Sequence, residues 1–489
     1  MTRHGLLSEQ GKVLLAVVPG AAAVILNNSS LYPAIPVFMD AFQAGVAPVG
    51  WIITAFLIAM GVTMPLTGYL GERFGNKRIY LLGLLLFVAG SVLGALSWNL
   101  AAVVAARGVQ GVAGGLTIPL SLALVFESSP REQRGRTTGI WGAAVMTAPA
   151  VGPLAGSAAL TLGGWQWLFL MNVPIGLLGL LLGRRHLAAT APDPSRTFDA
   201  RGFTTGTVGV GAVLLSLGQM SSLHDATEPL KLVPLIAGLA LLALFVRIEL
   251  GQPRPLVHLR AFQTPVYALS VVVTSVQALA MFATIFLIPL LVQNVYGYGP
   301  VVTALVFLPS AVSVALFVNV GGKRLDRRGP RGIALAGLGI TCAAALLLGT
   351  LPIGAPLSAV LALMMLRGAG LGLANMPITA AGLGALPDHL AGQGSAINNI
   401  SKRMVSALGV VLISIFFQAR SDHLLRSGQS PAEGALQAIN EGFLAIGAVV
   451  FLTLPVAYFM SRPPTATKQK PVVSATENVS SGPPPGPSA

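Results

Sequence analysis

The chain has 489 residues, of which 54% are hydrophobic and only 9% are charged, and its mean hydropathy is +0.76. Soluble domains carry about 25% charged residues, so this composition excludes a soluble globular protein and indicates a polytopic membrane protein. The formal net charge of +14 would suggest nucleic acid as a partner of a soluble protein. Here the basic residues fall between apolar runs, which favours membrane topology and lipid headgroups over nucleic acid. The single cysteine, Cys342, excludes an intramolecular disulfide.

Fourteen apolar runs are each long enough to span a bilayer, which takes roughly 20 residues. They lie near residues 13–38, 49–70, 79–98, 100–126, 137–160, 165–183, 203–220, 231–248, 266–292, 299–321, 332–351, 356–380, 396–417 and 437–460. These runs predict an all-α polytopic protein with two six-helix halves, at 1–186 and 261–461, and two extra central helices in a linker at 187–260. Residues 462–489 are rich in Pro, Ser and Gly and predict a disordered cytoplasmic tail.

The distribution of the 30 Lys and Arg residues predicts the orientation, because cytoplasmic loops carry an excess of them. Most of them fall on one side when the N-terminus is placed inside, which predicts a multi-pass protein of a bacterial inner membrane with both termini cytoplasmic. Lys402 and Arg403 are counted on the cytoplasmic side. Arg107 and Arg367 are then the charges placed well inside helices.

Two charged hinges share one internal spacing. The first contains Gly68, Glu72, Arg73 and Gly75, and Gly322, Asp326, Arg327 and Gly329 follow 254 residues later. An acid at a helix end can pair with arginines or with the N-terminus of a neighbouring helix, and such a contact can hold one of two packings. The recurrence predicts two related halves.

These hinges resemble the loop between the second and third helices of the major facilitator superfamily. The run from Arg107 through Gln110 to Gly115 resembles its fourth-helix motif, and Gly152-Pro153-Leu-Ala-Gly156 resembles the fifth-helix motif of its drug antiporters. The run from Trp165 to Gly176 resembles a sixth-helix signature of the fourteen-helix drug:proton antiporters of the EmrB/QacA type. The resemblance covers nearly the whole chain except the tail.

The resemblance implies a secondary active multidrug exporter that exchanges small hydrophobic or cationic compounds for protons by alternating access. It implies a conformational latch at the hinges, where the alternative is a solvated turn. The predicted latch residues are Gly68, Glu72, Arg73, Gly75, Asp326 and Arg327. On the fifth helix, small residues and a proline favour close packing at the boundary between the halves, and ordinary membrane packing is the alternative. These residues are Gly142, Gly152, Pro153 and Gly156.

Proton coupling has three candidate residues. A membrane-embedded arginine should face the bundle interior, and the resemblance implicates Arg107 in coupling, although a structural role remains open. Many relatives carry an acid at the position of Asn27, whose neutral amide cannot carry a proton. Glu127, whose carboxyl group ends an apolar run where desolvation would raise its pKa, and Asp40 are the other candidates.

Polar residues in or near the spanning helices predict the lining of a substrate cavity, with interhelical hydrogen bonding as the alternative. They are Asn27, Asn28, Tyr32, Gln110, Gln277, Arg367, Asn375, Asn398 and Asn399.

Two other functions remain open at this point. One is an exporter of a specific metabolite or organic anion that binds carboxylates through Arg107 and Arg367, and the other is a transport-inactive sensor or scaffold. The sequence contains neither a P-loop nor a metal-ligand spacing, which predicts a protein that is not an enzyme and needs no cofactor or metal. The expected partners are a small-molecule substrate, protons and lipid, and a periplasmic adaptor protein is left open. The chain is expected to be a monomer.

Overall fold

The structure is a computed structural model that describes residues 9–129, 134–189, 191–193, 199–218, 228–252 and 259–460. The regular elements within these ranges are helices. The first eight are α1 (Glu9–Ser30), α2 (Ile35–Phe42), α3 (Val46–Phe74), α4 (Asn76–Ala95), α5 (Leu100–Ser128), α6 (Arg134–Gly163), α7 (Trp167–Leu170) and α8 (Asn172–His186). The others are α9 (Ala200–Gly218), α10 (Pro229–Gly251), α11 (Pro265–Pro289), α12 (Pro300–Arg328), α13 (Pro330–Leu348), α14 (Leu357–Gly384), α15 (Asp388–Arg426), α16 (Pro431–Leu452) and α17 (Leu454–Tyr458).

Twelve helical spans in the described part of the chain are long and apolar enough to cross a membrane. The two remaining predicted spans are helical too, as α6 and α9. In α6, however, the apolar stretch is the short segment Val151–Gly163, and α9 is not among the twelve. Both helices contain many Gly and Thr residues, which lower their hydropathy. The predicted count of fourteen is therefore not supported by length and composition.

The two sets of six helices pack in equivalent ways. In the first set α3 and α4 both pack on α5, and α1 packs on α6 and α8. In the second set α12 and α13 both pack on α14, and α11 packs on α15. The two sets meet along α3 with α15 and along α6 with α12. We call this boundary the seam.

The inserted helices α9 and α10 pack mainly on each other, while α9 also touches α3 and α15. Much of α10 is exposed, including large apolar side chains such as Ile236 and Leu239. A helix that exposes apolar side chains over most of its surface suits a lipid environment. The pair is therefore peripheral to the seam.

Glycines end α3 and α12 at the two hinges. Gly75 has a φ of 95° and Gly329 a φ of 79°, which is the region that residues with a Cβ rarely adopt. These two glycines are the ones that recur in the sequence repeat. We call this end of the bundle the hinge end and the opposite end the far end.

The halves are joined by hydrogen bonds at the far end. Three of them link Gln293 Nε2 to the main-chain oxygen of Pro33 (2.7 Å), the main-chain nitrogen of Val46 to Gln418 Oε1 (2.9 Å) and Ser157 Oγ to the main-chain oxygen of Pro300 (2.8 Å). Along α15, none of residues 399–405 is buried, whereas most of residues 406–414 are. The seam is thus closed at the far end and less tightly packed toward the hinge end.

Candidate functional site in the seam

Arg107 lies fully buried in α5. Its guanidinium donates to the main-chain oxygen of Ile52 (3.0 Å) and to the side-chain oxygens of Gln110 (2.8 Å), Asn28 (3.4 Å) and Asn27. The ring of Phe56 covers it, with 4.2 Å from the guanidinium carbon to the ring centroid. Every oxygen around this cation is neutral, so its cost of burial is offset by hydrogen bonds and a cation–π contact. Four of the predicted residues are thereby brought together.

Tyr32 connects this cluster to the other half. Its side chain is 1% exposed, and its ring lies 6.3 Å from that of Phe282 in α11. The hydroxyl interacts electrostatically with both Arg107 and Arg403. No described residue forms a hydrogen bond of normal geometry with Tyr32 Oη. Tyr32 is therefore a buried polar group at the seam with unused hydrogen-bonding capacity.

Arg367 is the counterpart of Arg107 in the second half. It is 4% exposed and donates to Ser310 Oγ (3.1 Å) and to the main-chain oxygen of Met281 (3.0 Å). Both acceptors are neutral, as they are around Arg107. The two arginines predicted to bind substrate carboxylates are thus already engaged by the protein.

A second polar cluster joins α11, α14 and α15. Lys402 Nζ donates to Thr379 Oγ1 (3.0 Å) and to Asn375 Oδ1 (3.5 Å). Asn375 Nδ2 donates to Gln277 Oε1 (3.4 Å), and Asn398 Nδ2 donates to Thr379 Oγ1 (3.5 Å). Three predicted cavity residues belong to this cluster, and Lys402 holds it together. Asn399, in contrast, is exposed and donates to the main-chain oxygen of Ser395 in its own helix.

Lys402 and Arg403 correct the sequence interpretation. They were placed on the cytoplasmic side, but α15 begins at Asp388, so both lie inside the candidate span Gln393–Arg426. Helix formation through the polar segment before residue 396 extends α15 beyond its apolar run. The Cβ atom of Arg403 lies where α15 packs against Gly61 of α3. The signal was present in the sequence, because the predicted span 396–417 already contained both cations.

The predicted latch is only partly described. Glu72 and Arg73 lie in the last turn of α3, where the main-chain oxygen of Glu72 accepts from the main-chain nitrogen of Asp193 (2.8 Å). Gly68 is exposed and has open space where a Cβ would be. Asp326 and Arg327 lie in the last turn of α12, and their side chains are outside the described part of the structure. The latch stays a prediction.

The two candidate acids for proton coupling lie away from the Arg107 cluster. Glu127 is exposed at the hinge end of α5 and accepts a hydrogen bond from Asn76 Nδ2. Asp40 is exposed on α2 at the far end. The expected desolvation of Glu127 is therefore wrong, because the end of α5 emerges from the packed bundle. Among the described residues, no carboxylate pairs with Arg107, Arg367, Lys402 or Arg403.

The small residues of α6, except for the first of them, pack against α1 within the first half. A Cβ on Gly156 would overlap the main chain of Ser30 in α1, and one on Gly152 would overlap the side chain of Ser29. Pro153 is buried beside them. Gly142, in contrast, has open space around its Cβ position. Close packing of α1 on α6 therefore requires Gly152 and Gly156 but not Gly142.

Known proteins resemble this chain along most of its length. Multidrug resistance protein B homolog of Mycobacterium tuberculosis (strain ATCC 25618 / H37Rv) is 28% identical over 428 residues, covering 86% of this chain and 77% of the relative. Lincomycin resistance protein LmrB of Listeria monocytogenes serovar 1/2a (strain ATCC BAA-679 / EGD-e) is 26% identical over 407 residues, covering 83% and 86%.

The solved structure of a D-xylose-proton symporter superimposes with a TM-score of 0.66 over 93% of this chain and 99% of the symporter. Its sequence identity is 16%, so the likeness concerns the fold. Residues 17–410 match the family described as the Major Facilitator Superfamily. Because this match covers more than half of the sequence, the chain belongs to the Major Facilitator Superfamily.

Proposed function

We propose that this transporter is a secondary active exporter of small organic molecules, which it moves by alternating access in exchange for protons. The observation that carries the proposal is that each half holds a polar cluster within its spanning helices, and that Tyr32 interacts electrostatically with Arg107 of the first half and with Arg403, next to Lys402, of the second. Ligand sites of repeat-built transporters lie at the interface of the repeats. The names of relatives such as multidrug resistance protein B homolog and lincomycin resistance protein LmrB support export of drug-like compounds.

The proposal includes fourteen crossings, as in the EmrB/QacA type. α9 has 19 residues, which gives about 28 Å of helix at 1.5 Å per residue, close to the ~30 Å hydrocarbon core. α6 has 30 residues and packs between α1 and α12. Both of these helices form candidate membrane spans. A helix enclosed by spanning helices needs less apolar surface than one that faces lipid.

The proposed orientation places the hinge end and both termini in the cytoplasm of a bacterial cell. The basic residues around both hinges favour this side. With the seam closed at the far end, the described conformation would be the inward-facing one. Export then requires the hinge end to close and the far end to open, and the acid and arginine pairs of the two hinges would bias that exchange.

Dye transport into everted membrane vesicles tests this function. The lumen is acidified, and accumulation of the cation rhodamine 6G and the anion 5-carboxyfluorescein is followed with and without a protonophore. We expect uphill accumulation of at least one dye that collapses with the gradient. Binding of a partner protein without flux of any dye would instead favour the sensor or scaffold.

The latch is tested in the same vesicles. Glu72→Gln removes one charge at the hinge and should lower the transport rate without changing the amount of inserted protein. Gly142→Ala, in open space on α6, serves as the neutral control. Wild-type rates in Glu72→Gln would exclude a latch at this residue.

A further inference from the structure

Four cations within the spanning helices fall into two kinds, since Arg107 and Arg367 are buried whereas Lys402 and Arg403 are only partly buried. Arg107 and Arg367 donate to neutral oxygens supplied by the protein. Arg403 donates to no described residue, although it lies inside the span of α15. Lys402 has two acceptors, a hydroxyl and an amide oxygen, and one of these contacts is long at 3.5 Å. A guanidinium in a spanning helix is costly unless it is paired or solvated, and the partly exposed guanidinium of Arg403 is open to an acceptor that the chain itself does not supply.

Lys402 also determines how the neighbouring side-chain amides are oriented. An ammonium group only donates hydrogen bonds, so Asn375 turns its oxygen toward Lys402 and its nitrogen toward Gln277. Gln277 must then present its oxygen to Asn375. Its Nε2 is left buried without a partner in the described structure. A donor-only group at one end of the chain of amides thus leaves an unused donor at the other end.

Arg107 has the same effect on the other side of the seam. Because a guanidinium also only donates, Asn27 presents its oxygen to Arg107. Asn27 Nδ2 is buried and finds no acceptor among the described residues. The hydroxyl of Tyr32 interacts electrostatically with Arg107 and Arg403 and more weakly with the side chain of Asn28, and it too has no described hydrogen-bond partner of normal geometry. The free hydrogen-bonding capacity on both sides therefore consists of groups able to donate.

We infer that Lys402 and Arg403, assisted by Tyr32 and Gln277, form a subsite for the anionic group of an amphiphilic substrate, a carboxylate or a sulfonate. A planar acid group accepts the paired N–H groups of a guanidinium, and the ring of Phe282 beside Tyr32 offers an apolar surface for the rest of the molecule. The inference rests on the proposed export function and names the substrate class of the same seam. It also moves anion recognition away from Arg107 and Arg367, which are buried and already donate to oxygens of the protein.

Equilibrium binding to the purified full-length protein tests the subsite without requiring transport. The protein is placed in phosphatidylcholine nanodiscs at neutral pH, and fluorescence anisotropy of 5-carboxyfluorescein and rhodamine 6G is measured. These dyes share a xanthene frame and differ in charge. We expect Arg403→Gln and Lys402→Gln each to weaken 5-carboxyfluorescein binding by about 10- to 100-fold, the effect of one charge-assisted hydrogen bond. Neither change should weaken binding of rhodamine 6G.

Two variants control for charge and geometry. Arg426→Gln changes the net charge equally at the exposed far end of α15 and should leave binding unchanged. Arg403→Lys keeps the charge and should retain most of the affinity. Folding is checked with a thiol-reactive dye, because Cys342 is the single cysteine of the chain and is buried.

The outcomes separate this inference from the export function. Wild-type protein that binds neither dye, that prefers rhodamine 6G, or that binds 5-carboxyfluorescein as well after loss of either cation overturns the subsite. Cation-independent binding with gradient-driven export would leave the proposed function intact. Charge-dependent anion binding without movement of either dye in vesicles would support the subsite and overturn export. Competition by added phosphatidylglycerol would support the subsite and assign a lipid headgroup as its ligand.

Discussion

Arg107 and Arg403 are two guanidinium groups in spanning helices that both interact with the hydroxyl of Tyr32. Arg107 is surrounded by one main-chain oxygen, three side-chain amides and an aromatic ring. Arg403 has no hydrogen bond to any described residue. The guanidinium of Arg107 is therefore hydrogen-bonded by the protein, whereas the guanidinium of Arg403 has no acceptor among the described residues.

The comparison teaches that burial of a charge does not by itself indicate a binding site. A buried arginine whose N–H groups are used by neutral oxygens contributes to packing and specificity, and removing it strands those oxygens. A partly exposed arginine without acceptors in the described structure, such as Arg403, contributes little to stability and is available to a ligand. Stability and ligand affinity should therefore respond in opposite ways to substitution at the two positions.

The largest expected effect is on stability at Arg107. Arg107→Ala leaves the oxygens of Asn27, Asn28 and Gln110 without their donor and opens a cavity against Phe56. We expect a loss of about 3 kcal/mol or more in the free energy of unfolding, from several stranded acceptors at 1–3 kcal/mol each. The melting temperature from the reaction of Cys342 with a thiol dye measures it.

The matched variant is Arg403→Ala, which breaks no hydrogen bond within the described structure. It should melt within a few degrees of the wild type while losing 5-carboxyfluorescein binding. Equal destabilisation by the two variants would remove the distinction between the two kinds of cation.

The next largest effect is expected from a change of charge beside Arg107. Asn27→Asp places a carboxylate where the amide oxygen now accepts, and a charge-assisted hydrogen bond is roughly twice as strong as a neutral one. We expect Arg107 to be held more firmly, with a gain of about 1 kcal/mol offset in part by desolvation.

The new negative charge lies on the helix that leads into Tyr32, so 5-carboxyfluorescein should bind about tenfold more weakly, which anisotropy measures. Asn27→Gln keeps the amide and serves as the neutral control. Unchanged anion binding in Asn27→Asp would show that the Arg107 cluster has no electrostatic influence on the subsite.

The sequence predicted the helices well because each spanning helix must satisfy its own backbone in lipid. The run at 49–70 became α3, Val46–Phe74, and the run at 100–126 became α5, Leu100–Ser128. It also predicted residues of both clusters, since polar side chains inside apolar runs are few. What it could not give was the pairing, because Arg107 and Asn27 are 80 positions apart in the chain.

Two errors had identifiable physical causes. Lys402 and Arg403 were counted on the cytoplasmic side because topology rules count cations near helix ends, whereas α15 is 39 residues long and starts well before its apolar part. Glu127 was expected to be desolvated because it follows an apolar run, but α5 extends out of the bundle at that point. In both cases the length of the helix beyond its apolar stretch was the missing information.

A smaller effect is expected at Arg367. Ser310→Ala removes one of its two acceptors, which should cost about 1 kcal/mol and lower the melting temperature slightly. Anion binding should not change, because Arg367 retains the main-chain oxygen of Met281 and lies outside the subsite. Stronger 5-carboxyfluorescein binding in this variant would mean that a released Arg367 turns to the ligand, and Arg367 would then join the available cations.

The smallest effect is expected at Gln277. Its Nε2 is buried without a partner, but its Oε1 accepts from Asn375 Nδ2, so Gln277→Leu removes one unsatisfied donor and leaves another and should change the stability of the free protein by less than about 0.5 kcal/mol. The same change removes a donor from the subsite and should weaken 5-carboxyfluorescein binding about threefold. Thr274→Val, which removes a hydroxyl that donates to Asn398 (3.0 Å), is the contrasting control and should lower stability without this change in affinity. A Gln277→Leu protein with wild-type anion affinity would show that the unused donor faces protein rather than substrate.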